Sequence, residues 1–188
     1  MGFRVILIAV TGKTVSAIHE DYSVAPTDKY EEIPESPVTG ATLPSGAYLL
    51  YINDEIVPDE DVFAKLSRNG SLIACYANET VMSSLVSLWV NGIEQWSVFH
   101  DAEQGLRHLE ASGDLPAQLI PIRDQSFAEQ GEIGDTDYAF DIPIDLFAAL
   151  GGIRYDHDID GAGPEPWQVL TRINNKSAPR KKRWWSLG

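Results

Sequence analysis

The chain has 188 residues, of which 44% are hydrophobic and 22% charged, a composition typical of a folded globular protein that excludes wholesale disorder. It carries 28 acidic and 14 basic residues, a net charge of −14. Four of the basic residues lie at 180–183, so residues 1–179 have a net charge of −18. A field of that sign repels phosphate backbones and anionic lipid, so we expect no nucleic acid and no membrane as a partner.

The first apolar run, residues 3–10, is rich in β-branched side chains, which is typical of a central strand covered on both faces. It is too short to span a membrane and lacks a small-residue cleavage site. The single cysteine, Cys75, leaves no internal disulfide. Together these features predict a cytoplasmic protein.

Residues 13–22 allow two interpretations. Val15, Ile18 and Tyr22 fall at helical spacing, whereas Gly12 could equally turn the chain back as a second strand. Residues 23–45 contain four prolines and three glutamates, and predict a long acidic loop without regular structure. Next, we expect a strand at 46–53, a helix at 58–67 with acidic residues in its first turn, and a strand at 72–77.

Residues 82–100 predict a β-hairpin around the turn Asn91-Gly92, the strongest short-range hairpin signal. A two-residue turn pairs Val90 with Ile93, Trp89 with Glu94, Ser87 with Trp96, and Leu85 with Val98. Alternation then places on one face Leu85, Trp89, Trp96 and Val98, and on the other Val86, Leu88, Val90, Ile93 and Phe99. Because both faces are apolar, the hairpin is expected inside the sheet, with its tryptophans in the core.

The second half of the chain predicts shorter elements. They are a strand at 106–111, a helix or broken helix at 115–126 containing Pro121, a loop at 130–136, a short strand at 138–141, a helix at 141–150, a strand at 153–155 and a short apolar piece at 168–173. The whole predicts an α+β domain at 1–176, with a mainly antiparallel sheet around the central hairpin and helices packed on it. Residues 177–188 form a basic tail ending in tryptophans.

Residues 156–161 are the sharpest local motif, because Asp156, Asp158 and Asp160 alternate and Gly161 follows them. Calcium loops place oxygen ligands in this way, but their twelfth position carries a carboxylate, and here it is Trp167. Two interpretations stay open: a cation site at 156–165, or a solvated acidic loop that contributes to partner binding.

His100 and His108, with Asp101 and Glu103, have the ligand types of a zinc or iron centre. No HExxH or CxxC spacing supports this, so hydrogen-bonding histidines are the alternative. Cys75 has no local nucleophile signature, and no Gly-x-Ser-x-Gly motif occurs. We therefore expect no enzymatic activity and no cofactor.

Three segments carry a resemblance to a known group of proteins: SLWVNG with WSVFHD at 87–101, GLRHLEASGDLP at 105–116, and DYAFDIP at 137–143. With the Lys-Arg-Trp-Trp tail, they resemble small bacterial α+β immunity proteins encoded beside polymorphic or type VI secreted toxins. The resemblance covers about residues 82–160 and the tail. It implies a cytoplasmic inhibitor of one cognate toxin domain, often with an acidic surface against a basic cleft, and it transfers no binding residues.

The leading hypothesis is thus an immunity protein, monomeric or homodimeric, that binds and occludes a toxin domain with a basic surface. Charge steers such association, while buried aromatic residues supply affinity. The residues predicted to bind the partner are Asp54, Glu55, Asp59, Glu60, Asp61, Glu129, Glu132, Asp135, Asp137, Asp156, Asp158 and Asp160, followed by the acidic residues at 31–35. The alternatives are a calcium- or metal-dependent module or enzyme built on 156–165 or on His100 and His108, and a non-catalytic adaptor.

Overall fold

The computed structural model describes residues 2–53, 58–131 and 136–173, and the nine strands within these ranges form one antiparallel sheet. The strands are β1 (Arg4–Thr11), β2 (Val24–Glu31), β3 (Val38–Thr42), β4 (Tyr48–Ile52), β5 (Ser71–Asn78), β6 (Ser83–Val90), β7 (Ile93–Asp101), β8 (Glu110–Gly113) and β9 (Trp167–Arg172). Their order across the sheet is β2-β9-β3-β4-β1-β5-β6-β7-β8. The predicted α+β class with a mainly antiparallel sheet is confirmed.

Helices cover both faces of the sheet. They are α1 (Val15–Tyr22), α2 (Glu60–Leu66), α3 (Leu119–Glu129) and α4 (Asp141–Ala149), with a 3-10 turn at Ala102–Gln104. The first core joins α1 and α2 to alternate residues of β1 such as Ile6 and Ile8. The second joins α3 and α4 to the other side of β1, at Val5 and Leu7. Burial on both faces explains the continuous apolar run of this central strand.

The hairpin of β6 and β7 lies inside the sheet, flanked by β5 and β8, as its sequence predicts. Asn91 (φ 51°) and Gly92 (φ 86°) both adopt positive φ, the requirement of a type I′ turn. Their backbone conformation suits the right-handed twist of the strands they join. The central meander is therefore confirmed.

The predicted register is correct next to the turn and wrong beyond it. Val90 faces Ile93 and Trp89 faces Glu94, but Leu88 faces Trp96, so Gln95 is the extra residue of a β-bulge. Every later pair shifts, and Leu85 faces Phe99 instead of Val98. A one-residue shift exchanges the faces of a strand, so the two tryptophans lie in opposite cores. Both rings are buried.

Within residues 13–22 the helix alternative is correct, as α1 (Val15–Tyr22), and the strand alternative is wrong. The Thr14 hydroxyl caps its start by accepting from the Ala17 N–H, and Ser23 ends it in the left-handed conformation (φ 59°). The long loop predicted at 23–45 is also wrong, because it contains β2 and β3. Pro26 is tolerated in β2 because that strand lies at the edge of the sheet.

Several boundaries in the second half differ from the prediction. The strand predicted at 106–111 begins only at Glu110, and the predicted strands at 138–141 and 153–155 are a turn and an irregular segment. The helix at 141–150 is confirmed as α4. Pro121 lies in the first turn of α3, where its missing N–H costs no hydrogen bond. The apolar piece at 168–173 is β9, which pairs with both β2 and β3.

No helix within the described ranges is long and apolar enough to cross a membrane.

Candidate functional site

An acidic cleft opens on the α4 side of the sheet, where the β3–β4 turn meets the segment after α4. Its volume is about 790 Å³. The cleft is lined by Leu43, Pro44, Ser45, Ala148, Gly151, Gly152, Ile153, Arg154, Asp156, His157, Asp158 and Asp160. We call this the acidic cleft.

Two glycines shape the turn that forms the wall of the cleft. Gly151 has φ 104°, a conformation that L side chains rarely adopt. At Gly152 a Cβ would overlap the ring of Phe147, so only glycine lets the chain pass this close to α4. The Ser45 hydroxyl donates to the Gly151 carbonyl (3.1 Å) and joins the β3–β4 turn to the opposite wall.

The turn brings Arg154 back against α4, where three carboxylates surround its guanidinium. It donates to Asp141 (2.9 Å) on the first turn of α4, to Asp145 one turn later, and to Asp156 (3.0 Å) in the following loop. Asp141 and Asp145 are four residues apart and so share a helix face. Three negative charges meet one positive charge, and the cluster remains acidic.

Burial and ion pairing act in opposite directions on this cluster. Burial alone would lower the pKa of Arg154, but hydrogen bonds to Asp156 and Asp141 outweigh it and raise that pKa. Burial raises the pKa of the Asp141 carboxyl, and the hydrogen bond from Arg154 only partly offsets this. The guanidinium is a permanent cation whose donors are directed at the protein's own carboxylates.

A second network fixes the chain beyond Arg154. The Tyr155 hydroxyl donates to Glu79 (2.6 Å), whose other oxygen accepts from the Phe3 N–H (2.9 Å). The Tyr51 hydroxyl donates to the Tyr155 carbonyl (3.2 Å). Burial, together with the hydrogen bond to Glu79, raises the pKa of Tyr155, and burial raises that of Tyr51 to about 12. Both phenols are therefore neutral donors that anchor the loop to the sheet.

Past this anchor, the motif residues point outward. Asp158 and Asp160 are exposed, and neither carboxylate forms a hydrogen bond or ion pair with any residue in the described part of the chain. Ile159 between them is buried and holds the loop down. The arrangement presents two unpaired carboxylates in a cleft whose accessible apolar surface comes from Pro44 and Ile153.

Comparisons with protein-family models, with curated proteins and with solved structures gave no match to this chain.

The structure separates the acidic residues predicted to bind a partner. Asp59 caps α2 by accepting from the Val62 N–H, and Glu60 and Asp61 are exposed in the first turn of that helix, on the other side of the sheet from the acidic cleft. Glu129 is exposed at the end of α3. Of the predicted residues that the structure describes, Asp156, Asp158 and Asp160 are the ones that line the acidic cleft. Asp54, Glu55, Glu132 and Asp135 fall outside the described residues.

The prediction that Asp137 belongs to an exposed partner surface is wrong, because this residue is buried. Its Oδ2 lies 2.9 Å from Nε2 of His100, and its Oδ1 accepts from the Phe140 N–H just before α4. The His100 ring is fully buried, and its Nδ1 donates to the His108 carbonyl (2.7 Å). Asp137 therefore orders the interior.

The histidine pair proposed for a metal has its ring nitrogens engaged in hydrogen bonds. His108 accepts from the Asp101 N–H at Nδ1 (3.0 Å) and approaches Glu110 at Nε2 (3.1 Å), while both nitrogens of His100 have the partners described above. A metal ligand needs a free nitrogen lone pair. Across residues 2–53, 58–131 and 136–173, no group of three or more His, Cys, Asp or Glu side chains is arranged to hold a metal ion.

Sequence reasoning missed Asp141, Asp145 and Arg154. The spacing of the two aspartates was a usable signal, since they lie four residues apart in a segment predicted as helical. The position of Arg154 had no such signal, because it depends on the Gly151–Gly152 turn and on packing against Phe147.

Proposed function

We propose that this protein is an immunity protein: it binds a cognate antibacterial toxin domain in the cytoplasm and neutralises it by occlusion. The acidic cleft would receive basic side chains of the toxin. The observation that carries the proposal is the pair of exposed, unpaired carboxylates of Asp158 and Asp160 at an apolar-walled cleft.

Overall charge supports a basic partner. The net charge of −14 raises the rate of encounter with a positive surface and disfavours nucleic acid as a ligand. Desolvated ion pairs alone add little affinity, so the apolar walls matter as well. Exposed Pro44 and half-buried Ile153 offer surface for the aliphatic stems of lysine and arginine.

Arg154 supports the same proposal through its partners. A free arginine in the cleft would repel an incoming cation, but this guanidinium is held by three aspartates. The cluster therefore keeps a net negative charge and a fixed shape. Preorganised groups lose less entropy on binding than mobile ones. Binding, and not turnover, is the mechanism.

Co-expression tests the proposal. We expect a gene next to this one to encode a toxin, and production of that toxin in a bacterial host to stop growth unless this protein is also made. The double variant Asp158→Asn, Asp160→Asn should rescue growth less well than wild type at equal protein level. Absence of rescue by the wild-type protein would sink the proposal.

A further inference from the structure

We infer that the basic tail of this protein, residues 180–185 (Arg180, Lys181, Lys182, Arg183, Trp184, Trp185), docks into its own acidic cleft and is displaced by the partner. The tail lies outside the described residues, so the inference is drawn from the cleft, from the end of β9 and from the tail's chemistry. Self-docking rests on the proposed function, because the tail would regulate the same site.

The chemistry of the tail matches that of the acidic cleft. The tail has four consecutive cations, which pair with carboxylates, followed by two indole rings, which pack on apolar surface. The cleft provides Asp158 and Asp160, which lack partners among the described residues, together with apolar surface at exposed Pro44 and half-buried Ile153. In the described ranges, Lys13, Arg107 and Arg154 are instead committed to acceptors within the fold.

The tail is long enough to reach the acidic cleft from the end of β9. Val169 pairs with Thr39 of β3, and the two strands are antiparallel. Ile173 therefore lies four residues past this pair toward one end of the sheet, and Leu43 lies four residues past it toward the other end. The eight residues of strand that separate Ile173 from Leu43 correspond to roughly 26 Å. Ten extended residues from 174 to 183 span up to about 33–36 Å, which is enough for the later residues of the basic run and the two tryptophans to return to the mouth of the cleft, whereas Arg180 reaches only about 23–25 Å.

Tethering makes such a contact effective even when each interaction is weak. A segment joined by a short linker acts at an effective concentration of about a millimolar. Interactions between exposed charges are screened over about 10 Å at 0.1 M salt, so self-docking should weaken as salt rises. A toxin with a larger basic surface would displace the tail, and the tail would exclude weak, unrelated cations.

The test uses the full-length chain and a synthetic peptide of residues 174–188. In one variant the tail charges are reversed (Arg180→Glu, Lys181→Glu, Lys182→Glu, Arg183→Glu), which frees the cleft. We expect the peptide to bind this variant at least about tenfold more tightly than wild type, whose cleft is occupied. Amide NMR shifts on peptide addition should concentrate at Ser45, Gly151 and Asp158.

A matched pair of carboxylate variants locates the site. Adding Asp158→Asn and Asp160→Asn to the tail variant should remove peptide binding, whereas adding Glu20→Gln and Glu103→Gln, two exposed carboxylates elsewhere, should leave it unchanged. Failure of the peptide to bind, or equal binding to both combinations, overturns self-docking. Cleft shifts in the wild-type protein that grow with its concentration would show docking between copies and would also overturn it. Because no toxin is present, either result is independent of the proposed function.

Discussion

Nε2 of His100 lies 2.9 Å from Oδ2 of Asp137, and both side chains are buried between β7 and the start of α4. Nδ1 of the same ring donates to a carbonyl oxygen, that of His108. A carbonyl can only accept, so both ring nitrogens face acceptors. The pair joins the β7–β8 connection to the segment that leads into α4.

Removal of Asp137 should therefore be costly. Asp137→Ala leaves the Nε2 of a buried imidazole without its carboxylate and removes the acceptor for the Phe140 N–H. Because each buried group left unsatisfied costs about 1–3 kcal/mol, we expect a loss of about 2–5 kcal/mol in the free energy of unfolding. Urea denaturation measures it, with Asp158→Ala as the exposed control, which should change stability by no more than about 0.5 kcal/mol. Equal effects of the two substitutions would contradict the burial of this pair.

Arg154→Ala should destabilise the protein in a pH-dependent way. The substitution leaves Asp141, Asp145 and Asp156 without their shared cation. Since these carboxylates are about a third exposed, solvent screens much of their repulsion, and we expect a loss of roughly 1–2 kcal/mol near neutral pH.

Acid should reduce that loss. Burial already raises the pKa of Asp141, and without Arg154 it should rise further. A carboxyl with a raised pKa binds more protons folded than unfolded, so its penalty appears as pH rises and fades as pH falls. Unfolding free energies of the variant and of wild type should converge between about pH 7 and about pH 4. A pH-independent difference would contradict the electrostatic role of Arg154.

His19 should make the wild-type protein less stable in mild acid, whereas acid reduces the penalty of Arg154→Ala. Its Nε2 lies 2.7 Å from the Tyr48 hydroxyl, and burial lowers its pKa below the ordinary 6.5. The unfolded state then binds more protons than the folded state, so this contribution is complete above pH 6.5 and is lost as pH falls through the lowered pKa. Denaturation of wild type and His19→Gln from about pH 7.5 to about pH 5 checks this. The wild type should lose more stability, and parallel curves would refute the assignment.

Gly40 should resist even a single added methyl group. A Cβ there would overlap the hydroxyl of Tyr48 and lie 2.6 Å from its Cζ. We expect Gly40→Ala to cost about 1–3 kcal/mol through overpacking. Gly163→Ala is the matched control, because no heavy atom lies within 4 Å of the Cβ it would add. Thermal unfolding should separate the two variants by several degrees.

The fold could be predicted from the sequence where a strand or turn depends only on its own residues. The apolar run of β1 and the Asn91-Gly92 turn fall in this class. The bulge at Gln95 was not predictable, because an extra residue leaves the alternation on each side intact. The edge strand β2 pairs with β9, whose residues lie more than 100 positions away in the chain, and β9 also pairs with β3, which is hydrogen-bonded to β4 on its other side.

In the candidate site, too, some residues could be predicted from the local sequence and others depend on partners remote in the chain. Asp156, Asp158 and Asp160 form a local motif, and the sequence places them together. Asp137 was misassigned, because burial of a carboxylate depends on a partner, His100, that is remote in sequence. The unpaired state of Asp158 and Asp160 follows from a turn that directs their neighbour Ile159 into the core.

The affinity of the cognate toxin domain for cleft variants shows whether the acidic cleft is the binding site. Calorimetry at low salt should compare wild type with Asp158→Asn, Asp160→Asn and with Glu20→Gln, Glu103→Gln, which removes the same charge elsewhere. We expect a Kd at least about tenfold weaker, or roughly 1.4 kcal/mol, for the cleft variant, and a change under about twofold for the control. Equal affinity of all three proteins would contradict the acidic cleft as the binding site.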